Sequence, residues 1–152
     1  MLPRTYDREN CSIARSLELI GERWTLLVLR EAFTGAQRFD EFAERLGLAR
    51  NVLTARLSLL VAEGILERRR YQERPERFEY RLTEKGLDLF EVLAALMRWG
   101  DRWYAPAGPP RVLRHRGCGG VASDRLRCDR CGAELTLRDV QLEPGPGARA
   151  TA

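Results

Sequence analysis

Apolar positions recur along most of the chain with a helical period that is interrupted by glycine. Ile13, Leu17 and Ile20 repeat at i, i+4, i+7 behind Asn10, which can cap a helix that Gly21 is placed to end. The stretch RWTLLVLREA, about 23–32, is apolar on nearly every side and reads as the central core helix. A third helix covers roughly 38–46, with Phe39, Phe42, Ala43 and Leu46 on one face, and stops at Gly47. A fourth, about 50–63, ends at Gly64. Beyond it the pattern becomes that of strands. Segments 65–71 and 77–82 form a hairpin with QERPE at its tip, and in the second strand Phe78, Tyr80 and Leu82 point one way and Arg77, Glu79 and Arg81 the other. Thr83 then caps one long helix, TEKGLDLFEVLAALMRWGDRWY, on the order of 30 Å long.

The fourth helix raises a question of function. At 100° per residue Leu53, Leu57, Leu60 and Val61 share one arc and face the core. The opposite arc holds Asn51, Thr54, Ala55, Ser58 and Ala62, which are small, neutral or hydrogen-bonding, with no carboxylate among them. A merely solvated face usually carries Glu and Lys, whereas a face pressed into an anionic groove needs short side chains. Arg50 adds a cation at the helix N-terminus, which itself favours phosphate. The preceding short helix, the glycine turn and this helix make a helix-turn-helix whose second helix fits a major groove about 12 Å wide. The hairpin, with Arg68, Arg69, Arg70, Arg74 and Arg77, is then a wing along the backbone or minor groove. Its arginines alternate with Glu67, Glu73, Glu76 and Glu79, so solvation alone accounts for part of that charge. The order helix-turn-helix, hairpin, long apolar helix carries the reading.

Composition narrows the class without deciding it. A chain of 152 residues, 44% hydrophobic and 32% charged, is an ordinary globular protein with room for an appendage. Its 26 basic and 22 acidic side chains leave a net charge of +4, which permits an anionic partner. No apolar run approaches the roughly 20 residues of a membrane span, and MLPRTYDREN lacks the apolar core of a signal peptide. A cytoplasmic protein with reduced thiols and no membrane association is expected. The expected domains are 1–104 for the winged helix-turn-helix and dimerisation region, 105–111 for a linker, 112–143 for a small Cys/His module and 144–152 for a disordered tail.

From Cys11 to Tyr104 the chain resembles the HxlR-type winged helix-turn-helix transcriptional regulators of bacteria. The resemblance rests on a cysteine near the N-terminus followed in order by IGERWT, RFDEF, LTARL and YRLTEKG. It implies a mainly α fold with a β-hairpin wing and a homodimer built from the first helix, with Ile13 and Leu17, and the long C-terminal helix. The dimer would bind a near-palindromic operator in double-stranded DNA. Independently, Leu93, Leu96, Met97, Trp99 and Trp103 are more apolar surface than one small domain covers, and such a patch seeks a partner. One departure from the motif is that no Ser, Thr or Asp precedes Arg50 as a cap. Asn51 is the first candidate for base reading and Arg50 the next, with Arg38 on the backbone at the front of the motif.

Two further sites stand out. His115 and Cys118, then Cys128 and Cys131, are paired at the spacing of zinc knuckles, each pair followed by glycine, and together suggest a Cys3His zinc-ribbon-like β module with a structural zinc. His115 read instead as a surface residue would leave three cysteines. Behind an Asn10 cap, Cys11 falls at the first helical position, where the helix dipole lowers a thiol pKa, with Arg15 one turn along. Two readings of Cys11 stand: a small buried packing residue, or a thiol whose modification alters the dimer and its DNA affinity, as the resemblance implies for some members. The alternative function is a zinc-ribbon interaction module using the winged domain for protein contacts only. An enzyme built on Cys11 and His115 is not expected, since no local motif pairs a base with the thiol.

Overall fold

The computed structural model describes residues 6, 10–121, 125–135, 137–139, 141 and 143; the expected tail, 144–152, lies outside them. The chain forms two compact units, one up to Leu93 and one from Ala94 onward.

In the first unit the elements run α1 (Ser12–Ile20), α2 (Thr25–Phe33), α3 (Phe39–Leu46), α4 (Arg50–Ala62), β1 (Leu66–Gln72), β2 (Arg77–Leu82) and a one-turn α5 (Glu84–Leu87), followed by the start of α6 (Leu89–Tyr104). The core is the meeting of α2, α3 and α4 above the start of the hairpin. Val28, Leu29, Phe42, Leu53 and Leu60 are completely buried there, and Leu57, Ile65 and Leu66 nearly so. As expected, α2 is the central helix, and Phe39, Phe42, Ala43 and Leu46 form the inward face of α3. Gly47 ends α3 at φ +60°, a left-handed conformation that a side chain would disfavour, and this bend sets α4 against α3. β1 and β2 pair antiparallel with Leu66 opposite Leu82 and Arg70 opposite Phe78, and a bulge at Tyr71 shifts the register. A helix-turn-helix followed by a two-stranded wing is therefore the architecture of this unit.

Three details depart from expectation. Asn10 does not cap α1: Cys11 is itself the N-cap, with φ −134° and ψ 123°, and the Asn10 Oδ1 accepts a hydrogen bond from the Arg15 guanidinium at 3.0 Å. The alternation of β2 is incomplete, because Glu79 is half-buried beneath Arg81, whose Nε lies 2.8 Å from it on the same strand face. The long C-terminal helix is not continuous. Its first turn, α5, stops at Asp88, and α6 has 16 residues, about 24 Å. The first turn is tied to the end of α4, whereas Leu89 and Leu93 follow the core and Phe90 packs on Phe33 at 5.6 Å.

The second unit contains the rest of α6, a short hairpin of β3 (Leu126–Arg127) with β4 (Glu134–Leu135), and a single 3-10 turn (Leu137–Asp139). Met97 is half-buried and lines a cleft of about 110 Å³ with Val112, Leu113 and Val121. Among the described residues no helix is long and apolar enough to cross a membrane.

Candidate nucleic-acid interface

The outward face of α4 has the composition expected of it. Asn51, Thr54, Ala55, Ser58 and Ala62 are all exposed, while Leu53, Leu57 and Leu60 on the inner face are sealed. α4 begins without a side-chain cap, Ala49 occupying that position, so its first N–H groups have no side chain of their own to bind. The Thr54 hydroxyl donates to the Arg50 carbonyl at 2.8 Å, which leaves its methyl group and oxygen lone pairs to face outward. Arg50 is held at the front of the helix by α3. Its Nη1 lies 3.2 Å from Asp40 and its guanidinium 4.6 Å from the Phe39 ring. Both partners of that ion pair are largely exposed, so it is worth no more than about 1 kcal/mol and yields readily to a phosphate.

Contacts that the local pattern does not show brace α4 and the helices around it. The Glu22 carboxylate accepts from the Trp24 N–H at 2.9 Å at the start of α2, and lies 3.6 Å from Arg56 Nε on the flank of α4. Glu31, buried at the end of α2, pairs with Arg30 at 2.6 Å and with Arg45 of α3 at 3.7 Å. At the other end of α4, Lys85 Nζ donates to the Glu63 carbonyl at 2.6 Å. The Thr83 hydroxyl reaches the Gly64 carbonyl at 2.6 Å while accepting from the Gly86 N–H at 3.1 Å. The motifs IGERWT and TEKG were visible as strings. In the fold the first touches the middle of α4 through Glu22 and Arg56, and the second closes its C-terminal end through Thr83 and Lys85.

The wing is docked onto the front of the helix-turn-helix. The Tyr80 N–H donates to the Gln37 carbonyl at 2.7 Å, Arg38 forms a β-bridge with Glu79, and the Arg38 guanidinium stacks 4.9 Å from the ring of the bulged Tyr71. Arg38 also begins α3, whose first turn is closed by Glu41. That carboxylate accepts the N–H groups of Gln37 at 2.8 Å and Arg38 at 2.9 Å, and these two bonds hold its pKa below the ordinary carboxylate range. All five wing arginines are exposed. Arg69 pairs with Glu67 at 2.7 Å and Arg70 with Glu76 at 3.3 Å, and Arg68 lies over the Phe78 ring. Among the described residues Arg74 and Arg77 make no ion pair, and neither does Glu73 beside them.

A family model described as HxlR-like helix-turn-helix matches residues 19–107. The chain belongs to this family. This HxlR-like protein is 53% identical over 143 residues to an uncharacterized HTH-type transcriptional regulator of Mycobacterium tuberculosis, a match covering 93% of this chain and 90% of that one. Among solved structures it is similar to PA1607, provisionally described as a transcription factor, with a TM-score of 0.81 and 36% identity over 91% of this chain and 97% of that one. It is also similar to the reduced form of the transcriptional regulator YodB from B. subtilis, at TM-score 0.55 and 32% identity, covering 64% of this chain and 98% of that one; YodB has also been solved after diamide treatment. The protein is thus a transcriptional regulator of the helix-turn-helix type.

The remaining expected sites are distributed as follows. Ile13 and Leu17 on α1 and Leu96, Trp99 and Trp103 on α6 are exposed apolar side chains, whereas Leu93 is half-buried against the core of its own unit. Cys11 is a half-buried free thiol. In the second unit His115 Nδ1 lies 3.2 Å from Cys118 Sγ, and the Cys128 thiol is held below its ordinary value by the backbone N–H groups of Cys131 and Arg130.

Proposed function

We propose that this HxlR-like protein acts as a homodimer on a near-palindromic duplex operator. Each protomer lays α4 in the major groove and its wing along the flanking backbone or minor groove. The observation that carries this reading is the exposed face of α4, which has no carboxylate and only short side chains, on a helix whose other face is sealed into the core. Asn51 offers a bidentate amide to a base edge, and the outward methyls of Thr54 and Ala55 suit the thymine methyl, with Ser58 beside them. Arg50, Arg38 and the wing residues Arg68, Arg69, Arg70, Arg74 and Arg77 serve the phosphates. The exposed Ile13, Leu17, Leu96, Trp99 and Trp103 support self-association, because a lone protomer would leave them in water.

Fluorescence anisotropy on duplexes tiling the gene's upstream region and on a random-sequence pool, at several salt concentrations, tests the reading. One duplex should bind at least about 10³-fold tighter than the pool. Affinity should fall steeply with salt, close to one unit of log–log slope per neutralised phosphate. Arg50→Ala/Asn51→Ala should abolish the preference. A flat profile shared by parent and variant would instead make the winged domain a surface for protein contacts.

Control by a thiol is part of the proposal. Cys11 lies at the head of α1, beside the exposed Ile13, and the relative YodB is known in reduced and diamide-treated forms. Diamide should weaken operator binding by the parent at least about tenfold, the 1.4 kcal/mol scale of a modest coupling, and leave Cys11→Ser unaffected. Equal loss in Cys11→Ser would assign the response to other cysteines.

A further inference from the structure

We infer that the Cys-rich module of the second unit is a zinc centre with His115, Cys118, Cys128 and Cys131 as its ligands, and that the metal takes the place of an apolar core. The two ligand-bearing loops form a structural repeat. In the loop 115–120, HRGCGG, the Gly119 N–H donates to the His115 carbonyl at 2.8 Å and the His115 N–H to the Gly120 carbonyl at 2.8 Å. In the loop 128–133, CDRCGA, the Gly132 N–H donates to the Cys128 carbonyl at 2.9 Å and the Cys128 N–H to the Ala133 carbonyl at 2.9 Å. The glycine closing each loop is left-handed, at φ +73° and +72°. The pair flanking the first loop is Arg114 opposite Val121, and the pair flanking the second is Arg127 opposite Glu134. Two stretches that share only a Cys and a Gly thus adopt the same backbone. What they have in common chemically is a zinc-ligating side chain at the first and fourth positions.

A fold repeated so closely needs a cause, and burial does not supply one. From Ala105 onward none of the residues whose burial is described is buried, and Val112 and Val121 are exposed. A module of this size without a core is ordinarily stabilised by a staple, and its three cysteines are free thiols rather than disulfides. Each loop supplies two ligands, one pair already in contact, and zinc takes four from just this set of thiolates and imidazole. Among the described residues no three His, Cys, Asp or Glu side chains converge, and binding of the ion would draw the two pairs together.

The test uses the full-length protein purified without chelators, elemental analysis for zinc, and titration of the metal-free protein with Co²⁺. The expected result is one zinc per chain, with cobalt producing thiolate charge-transfer absorption and the visible bands of a tetrahedral site. Cys131→Ser and His115→Ala should each weaken cobalt binding at least about 100-fold, more than the 10–100-fold typical of losing a mere supporting partner. His115→Cys should keep one equivalent and intensify the charge-transfer band, and Cys11→Ser should leave both readouts unchanged. The inference is overturned by substoichiometric zinc with no cobalt–thiolate band, by one metal per two chains, or by full affinity in Cys131→Ser. Full affinity in His115→Ala would overturn the ligand set as stated.

Discussion

Gly86 lies so near the start of the wing that a Cβ on it would be 2.2 Å from the Ile65 carbonyl oxygen. The obstacle is backbone, which cannot swing aside as the end of a side chain can. Gly86→Ala is therefore expected to lower stability by about 1–3 kcal/mol in urea denaturation, the usual cost of overpacking. Because the displaced carbonyl sits where α4 hands over to β1, duplex binding should weaken as well. Thr83 was legible as a helix cap, and it does accept the Gly86 N–H. That its hydroxyl also reaches Gly64, and that Lys85 closes the end of α4, could not be read from local pattern, since the partners lie far away along the chain. At Cys11 the difference is one position, from first helical residue to N-cap, and Asn10, the expected cap, accepts a hydrogen bond from the Arg15 guanidinium.

For the elements, α3 shows how a helix end is stabilised by charge. Arg38 at its N-cap has no acceptor to offer, so the closure comes from Glu41 alone, reaching back to two backbone N–H groups. Its carboxyl is held below the ordinary range by these bonds. A depressed folded value means that the stabilisation is fully present above the ordinary carboxylate range and is lost as pH falls through the folded value. Glu41→Ala should therefore cost about 1 kcal/mol at neutral pH, read as a lower Tm, and the gap between parent and variant should narrow as the solution is acidified. Hydrophobic period located every helix of the first unit and both wing strands to within a residue or two. It missed the break at Asp88, because apolar spacing continues through that position while the anchoring of α5 differs from that of α6.

At the scale of the whole molecule, the exposed Leu96, Trp99 and Trp103 of α6 are the largest departure from a self-sufficient fold. If they form the contact between protomers, Leu96→Glu/Trp103→Glu should convert a dimer into a monomer in sedimentation velocity, while thermal unfolding of the winged unit stays close to the parent. Operator affinity should fall with it, because a two-fold site would be gripped by only one half at a time. A variant that remains dimeric would place the interface elsewhere.

What the sequence by itself determined was the order of elements, the inward face of each helix and the absence of acid from the outward face of α4, since all three follow from local periods and composition. The fold class could be reached from those alone, whereas the family rested on the resemblance carried by IGERWT, RFDEF, LTARL and YRLTEKG. The tertiary structure decided which residues tie the helices together: Glu22 against Arg56 on the flank of α4, Glu31 of α2 against Arg45 of α3, Lys85 and Thr83 against the end of α4. It also decided that Arg38 stacks on the bulged Tyr71, that Leu93 serves its own core, and that two unlike loops repeat one backbone. The physical reason is the same throughout. Periodicity reports how a residue is oriented on its own element, whereas a hydrogen bond, ion pair or close backbone approach between distant segments exists only once the chain has closed on itself.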